Sequence, residues 1–448
     1  MTEQKNITVK KIVVPEQPVN PEWLWQPKDD LETIDELDLP EKTYLCFGVF
    51  WLDIYSTPEC DRIELEKVLE DLQLEFDKWN VAYPWSEYNG VTLKLEELDR
   101  NKRSPYILGY HCVEDNIEDE EGIVLSILAN FSKKASQYVF IKICDTDGDF
   151  ILSECNNILP REYEYPVANN RFWLHEGRFK TIPLSFYPDR GLVPSECMEF
   201  LLKGVYKCNC IQAVQDRIED KFTSVFPEGY FHDLRSLPLK FVDGKIFNII
   251  EQNPSIVTYL IKQLLIPGIE KDLAFSKLQR ESETFSLNVI VPKKILSILI
   301  MYVKQFYKDE DENMYSFYYG EVISSLLDRA SKDRDIQLVE KTNEANVIAD
   351  LFSKITIKAV DSKDIQERGD PNASDTFDTL INLIHGEEDL TEDVEDLSSD
   401  SNDSITSYFR SENVDIDEDD FFEFFLTEAL GIKNNEMPNY RNTSSRNK

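Results

Sequence analysis

Chemistry in this chain would have to be assembled from few side chains. Histidine occurs four times, at positions 111, 175, 232 and 385, so acid–base or metal sites would draw mainly on carboxylates and thiols. Four stretches have suitable residue types. Glu118, Asp119 and Glu120 stand in a row and could pair as general acid and base. Asp145-Thr146-Asp147-Gly148-Asp149 alternates carboxylates as a calcium loop does. His175-Glu176 opens like the His-Glu pair of a zinc-protease helix, and Cys208-Asn209-Cys210 brings two thiols together.

Spacing favours a structural reading of each. A calcium loop wants Gly at its sixth position and Glu at its twelfth. Counted from Asp145, the glycine is fourth and the twelfth residue is Asn156. An Asp-Gly pair between two apolar runs is instead a hairpin signal, so Asp147 and Gly148 are read as a structural turn. Residues 138–144 form one strand of that hairpin, and 150–152 begin the return. The zinc-helix pattern fails at Phe179, where the second His would stand, and Gly177 suits a turn. One spacer between Cys208 and Cys210 is too short for ordinary zinc ligation, so both are read as helix or core cysteines. The row at 118–120 is explained by a helix start, where negative charge is favoured. No phosphate-binding glycine loop or nucleophile elbow is present. The expectation is therefore no catalytic residue, no metal and no cofactor. An enzyme using carboxylates around Glu118 or Asp147 is the least favoured alternative.

The elements that carry these residues follow from periodicity. Ile123, Val124, Ile127, Leu128 and Phe131 recur at helical spacing, closed by Lys133 and Lys134. A helix feeding a hairpin implies an α+β domain. Upstream, 43–52 reads as a buried strand. Ile63, Val68, Leu72 and Phe76 read as a helix with Asp61 as its cap. Asn89-Gly90 reads as a turn before a strand at 91–95, and 106–112 as a further strand. A last hairpin is expected around Glu176-Gly177. This α+β domain spans 40–190. Residues 1–39 are acidic and Pro-rich. They form either an extended arm pinning Trp23 and Trp25 onto the body or a tail without structure. From Pro194 the period becomes helical, in segments around 198–205, 211–218, 256–264, 295–306, 321–327 and 347–357, giving an all-helical region over 191–360.

The net charge is -37, from 85 acidic and 48 basic residues. Such a balance argues against direct nucleic-acid binding and against an anionic membrane surface. No apolar run approaches a membrane span, and the N-terminus lacks the apolar core of a signal peptide. The eight cysteines show no disulfide framework, so a reducing compartment is expected. Residues 361–448 change character. Positions 370–430 hold 20 acidic residues and a single basic one, Arg410. Like-charged sequence of this kind is expected to be disordered. Residues 377–384 could form a short amphipathic helix. At 417–430, Phe421, Phe422, Phe424, Phe425 and Leu426 follow an acidic helix start and are the expected partner-binding residues. The other reading is a helix that docks back on its own domain. Ser401, in a series with Ser398, Ser404 and Ser407 among acids, is the candidate phosphosite.

Several of these residues also fall into an ordered set of blocks. Asn116, Glu118, Asp119 and Glu120 precede an apolar helix. Asp145, Asp147, Gly148, Asp149, Phe150 and Leu152 follow, then Leu159-Pro160, then Asn170-Arg171-Phe172 with His175 and Gly177. This order resembles the ecdysoneless family. Phe241, Gly244 and Asn253-Pro254 extend the resemblance, which covers roughly residues 40–330. It implies a regulator of nucleus and cytoplasm, linked to transcription (including glycolytic genes), cell-cycle progression and pre-mRNA splicing through a core spliceosomal protein. It also implies binding of a PIH-type cochaperone, working with RuvB-like ATPases, to a phosphorylated acidic serine. The matching stretch, Asp400-Ser401-Asn402-Asp403, carries Asn402 where the family pattern has Asp. The combined expectation is a non-enzymatic acidic adaptor with protein partners, no direct nucleic acid and no membrane. The alternative from another class is a polyanionic chaperone for basic proteins.

Overall fold

Strand alternation decides the architecture of the first half. In the computed structural model, residues 10–14, 19–26, 43–98, 104–113, 117–146, 148–266, 269, 284–306, 314–333, 336–340 and 358–359 are described. All belong to the first of the chain's two units, Met1–Ile384; the second is His385–Lys448. The elements begin with β1 (Lys10–Val13), a 3-10 turn at Pro21–Leu24, β2 (Thr43–Trp51), α1 (Pro58–Ala82), β3 (Thr92–Glu97), β4 (Pro105–Val113) and α2 (Ile117–Lys134). Next are β5 (Val139–Asp145), β6 (Gly148–Asp149), α3 (Phe150–Cys155), β7 (Phe172–His175) and β8 (Arg178–Thr181). The strands pair antiparallel in the order β3-β4-β2-β5-β7-β8, with β6 on β5. The run β2-α1-β3-β4-α2-β5 is a split βαβ arrangement. The fold is α+β, as expected.

Each strand feeds two cores because its side chains alternate. On β2, Leu45, Phe47 and Val49 face α1 and α2, while Tyr44, Cys46 and Phe50 face the other way. Helix α1 buries Leu65, Val68, Leu72, Phe76 and Trp79, a spacing of three to four residues that presents one face to the sheet. Its N-cap is Thr57, whose side chain accepts from the Cys60 amide at 3.3 Å. Asp61 lies inside the first turn and is not the cap, and Ile63 points to solvent. The opposite face of the sheet is covered by the N-terminal segment, with Trp23, Leu24 and Trp25 buried on it, which is the pinned-arm reading.

Three expectations are corrected. The return strand after Gly148 is two residues long, because Phe150 starts α3. Phe150, Ile151 and Cys155 are buried together by a helical turn, which an extended strand would have split between two faces. The core of the first sheet does not stop near residue 190. Helices α4 (Pro194–Gly204) and α5 (Gln212–Ile218) cover it, and Val214, Ile218, Phe222, Tyr230, Phe231 and Leu234 belong to its core. The region after 191 is largely helical but also contains strands. It continues with β9 (Leu234–Phe241), α6 (Gly244–Gln252), α7 (Ile256–Lys262), β10 (Phe285–Pro292), α8 (Lys293–Phe306), α9 (Tyr315–Asp333), β11 (Gln337–Glu340) and β12 (Lys358–Ala359). β9 and β10 pair antiparallel over eight residues. Alternation buries Leu237, Leu239 and Phe241 of β9 and Val289 and Val291 of β10 against α7, α8 and α9. β1 pairs with β11, so the N-terminal segment contributes Ile12 and Val14 to this second core before its indoles reach the first. The expected helices at 347–357, 377–384 and 417–430 lie outside the described residues.

Candidate functional site

Three charged residues of the sequence blocks, Glu120, Asp149 and Arg171, are buried, each in its own constellation. Helix α2 starts with Glu118, Asp119 and Glu120, but the first and last have different surroundings. Glu118 is exposed and meets Lys221 at 2.9 Å; the same ammonium reaches Glu154 at 2.8 Å. Glu120 is buried. Its Oε1 accepts from the Ser86 amide at 2.6 Å and from the Ser86 hydroxyl at 2.9 Å. Its Oε2 lies 2.7 Å from Nε2 of His111 on β4. The other ring nitrogen of His111 lies 2.9 Å from the Gly90 carbonyl, and Trp85 packs edge-on against the ring at 4.7 Å. Both carboxylate oxygens are thus engaged. The serine is bonded to the carboxylate and not to the histidine, which is not the order of a nucleophilic triad.

The second constellation lies on the other face. Lys142 on β5 donates to Asp149 Oδ2 at 2.8 Å, with side chains 0 % and 1 % exposed. Burial by itself would lower the lysine, but Asp149 and Cys144 outweigh it and hold the ammonium above its ordinary value. Gly148, φ 131°, reverses the chain between the two partners, a backbone conformation that side chains disfavour. The reversal at Gly148 thus leads into a buried ion pair. Asp147 and Asn116 lie outside the described residues.

The third is Arg171. All five of its N–H directions go to backbone carbonyls: Nε to Val167 at 2.7 Å, Nη1 to Pro183 and Phe186 at 3.1 and 2.9 Å, and Nη2 to Tyr187 and Arg190 at 2.5 and 3.0 Å. One side chain thereby fixes the loop at 183–191, in which Tyr187 has φ 53°. Asn170, φ 65°, ties Trp25 and Leu192 to this loop through its amide, at 3.2 and 2.8 Å. His175 closes β7. Its Nδ1 lies 3.0 Å from the Val139 carbonyl and its ring stacks on Phe140 at 4.1 Å. Glu176 and Gly177 both have positive φ, the two-residue hairpin turn expected there.

A loop at 83–91 carries the Glu120 network to the second core. Lys262 donates to the Ser86 carbonyl at 2.8 Å and Tyr88 to Asn253 at 3.4 Å, while Asn89 donates to Val14 at 3.0 Å. Asn253 also accepts from the Ile12 amide at 3.3 Å. Asn253-Pro254 is thus a joint between the two cores.

Cys208 and Cys210 are half-buried and flank Asn209, which pairs with Thr181 as an extension of the sheet edge, so neither is a helix cysteine. Among the described residues no group of three or more His, Cys, Asp or Glu side chains could hold a metal ion. No described helix is long and apolar enough to cross a membrane. Phe421, Phe422, Phe424, Phe425, Leu426 and Ser401 lie outside the described residues. The sequence places Glu120 in a charged helix start and not in a buried network, and it assigns no role to His111 or Lys142. Two signals were available: Glu120 lies three and four residues before Ile123 and Val124, on the apolar face, and Lys142 is a lone charge inside a buried strand.

Glu120, Asp149 and Arg171 of the sequence blocks are each engaged within a split βαβ sheet and its loops, and the family of the chain follows from comparison. The chain belongs to the SGT1 protein family, whose model matches residues 46–291, more than half of its length. Curated relatives carry the name "Protein ecdysoneless homolog", in agreement with the blocks. The Arabidopsis thaliana protein is 25% identical over 165 residues, 36% of this chain and 24% of that protein. The Schizosaccharomyces pombe protein is 32% identical over 109 residues, covering 24% and 17%. The Dictyostelium discoideum protein is 39% identical over 77 residues, covering 17% and 9%. The matches thus span about a quarter or less of each relative's length. No solved structure matches. The family is one of regulators and adaptors.

Proposed function

We propose that this chain is a non-enzymatic adaptor of nucleus and cytoplasm, whose body is a rigid platform and whose acidic tail recruits protein partners. The observation that carries this reading is where the charge lies. In the body, Glu120 is bonded internally to Ser86 and His111, and Asp149 to Lys142. The acids of residues 370–430 have almost no basic residue in sequence near them and are interleaved with phenylalanines. That composition keeps aromatic anchors in water until an apolar groove accepts them. By the family likeness, the processes served are transcription regulation (glycolytic genes included), assembly of a core spliceosomal protein and cell-cycle progression. Ser401 would be the phosphorylated contact for a PIH-type cochaperone with its RuvB-like ATPases.

Affinity purification of the full chain and of a form lacking residues 361–448 tests this. The expected result is loss of the specific partners with the tail. Retention of the same partners by the truncated form would contradict it. The tail's charge also favours a second reading, a polyanionic chaperone for basic proteins. The two separate on a tail scrambled at constant charge: a polyanion keeps its clients, an adaptor loses its partners.

A further inference from the structure

The face of the sheet under Trp23–Trp25 is rich in thiols. Cys46, Cys112, Cys144 and Cys197 are all buried there, half of the eight cysteines of the chain. Cys46 on β2 and Cys144 on β5 are directly opposite in register and both are free thiols. Directly opposite residues in an antiparallel pair have Cα atoms about 4.5–5.5 Å apart, within the span a disulfide bridges.

The cover over this pair is fitted to it. Leu24 enters the space left by Gly48, where a Cβ would come within 2.5 Å of its Cδ2. Trp25 packs on Phe50 and Trp173 at 5.7 and 6.1 Å, and Trp23 on Tyr44 at 5.3 Å. Cys144 itself is part of the latch: its Sγ–H donates to the Leu24 carbonyl at 3.0 Å. That hydrogen bond exists only while Cys144 is a thiol.

We propose that Cys46 and Cys144 are a thiol–disulfide switch coupled to docking of the Trp23-Leu24-Trp25 segment, with a small-molecule disulfide as the oxidant. With the segment docked, the thiols are sealed and reduced. When it lifts, the Cys144 thiolate attacks one sulfur of the oxidant, forming a mixed disulfide and releasing one thiol. Cys46 then attacks the Cys144 sulfur, closing the Cys46–Cys144 bond and releasing the second thiol; the two protein protons leave on the two released thiols. Cys144 is the first nucleophile on electrostatic grounds. Burial pushes its thiol up to about 12, and Lys142 opposes that effect, so opening the face favours its thiolate. Once the disulfide forms, the donor to Leu24 is gone and the docked segment is weakened. Docking and oxidation therefore oppose one another.

The full chain is incubated with oxidised glutathione, quenched by alkylation and mapped by mass spectrometry, with the exposed Cys60 reporting exposure to the oxidant. The expected result is a Cys46–Cys144 disulfide in the wild type, formed about tenfold faster in Trp25→Ala, where access is increased. Leu24→Ala serves as the milder variant should Trp25→Ala not fold. Amide exchange at residues 19–26 should be faster in the oxidised than in the reduced wild type. The proposal is overturned if Cys60 is fully modified while no Cys46–Cys144 pair appears in any form. Equal rates with and without the segment's side chains, or unchanged exchange at 19–26 after oxidation, also overturn it.

Discussion

Asp149→Ala is expected to be the most destabilising single change in the body. It leaves the Lys142 ammonium, 0 % exposed, without its counter-charge. Breaking one partner of a buried pair costs about 3–5 kcal/mol, against a total stability of about 5–15 kcal/mol. Replacing both partners by apolar residues of similar size, as in Lys142→Met with Asp149→Leu, should recover most of that loss, because two desolvated charges disappear together. Urea unfolding of the singles and the double gives the coupling. pH supplies an independent sign. In the wild type the lysine is held above its ordinary value. Its contribution is complete below the ordinary value and declines only as pH rises through the raised one. In Asp149→Ala the carboxylate is gone and burial is opposed only by Cys144, so the lysine is expected to fall below its ordinary value. The native state then binds fewer protons than the unfolded chain, and the variant gains stability as pH rises toward the ordinary lysine value. A loss below about 1 kcal/mol for Asp149→Ala, the size of an exposed pair, would show that the pair is not buried in solution.

Arg171→Lys is expected to behave as a severe change and not a conservative one. The planar guanidinium reaches five carbonyls from one position, and an ammonium has three donors on a flexible stem. Charged hydrogen bonds contribute about 1.5–3 kcal/mol each, so losing even two should cost at least about 3 kcal/mol. The loss should also be local. Residues 183–191, which the guanidinium fixes, should exchange their amides faster well before the sheet does. Thermal unfolding followed by exchange mass spectrometry measures both. Arg171→Lys with unchanged melting and unchanged exchange in that loop would mean the carbonyls are served by solvent.

What was legible in the chain was whatever a single period could show. The strands at 43–52 and 106–112, α2 and the Glu176-Gly177 hairpin follow from apolar spacing and turn chemistry, which are local. Long-range pairing was not legible. Glu120 sits on the apolar face of α2, yet its partners Ser86 and His111 come from a loop and a strand that only the fold brings together. Phe150–Leu152 was read as a strand because the Asp-Gly turn suggested a symmetrical hairpin; the buried pair of Asp149 with Lys142 pins the turn instead, and a helix follows. The β9–β10 pair was hidden by Pro238, which normally argues against a central strand. Among the described residues β12 pairs with β9 at Arg235 and Ser236, and Pro238 is paired on its other side with Asn288 of β10. The acidic, aromatic character of the tail was legible from composition alone.

The central claim is that the tail recruits partners and the body does not need it. In a helix over this stretch, Phe421, Phe424 and Phe425 would share one face by their i, i+3 and i+4 spacing, with Asp419 and Asp420 suited to its start and Gly431 to its end. So short a helix is marginal alone in water and gains order on a groove, where aromatic anchors contribute about 2 kcal/mol or more each. The direct measurement is made on the full chain carrying Phe424→Ala and Phe425→Ala, comparing partner capture and thermal unfolding with the wild type. The account predicts that capture is abolished and the melting temperature of the body is unchanged. Normal capture together with a lowered melting temperature would contradict it, because the segment would then be a helix docked on its own body.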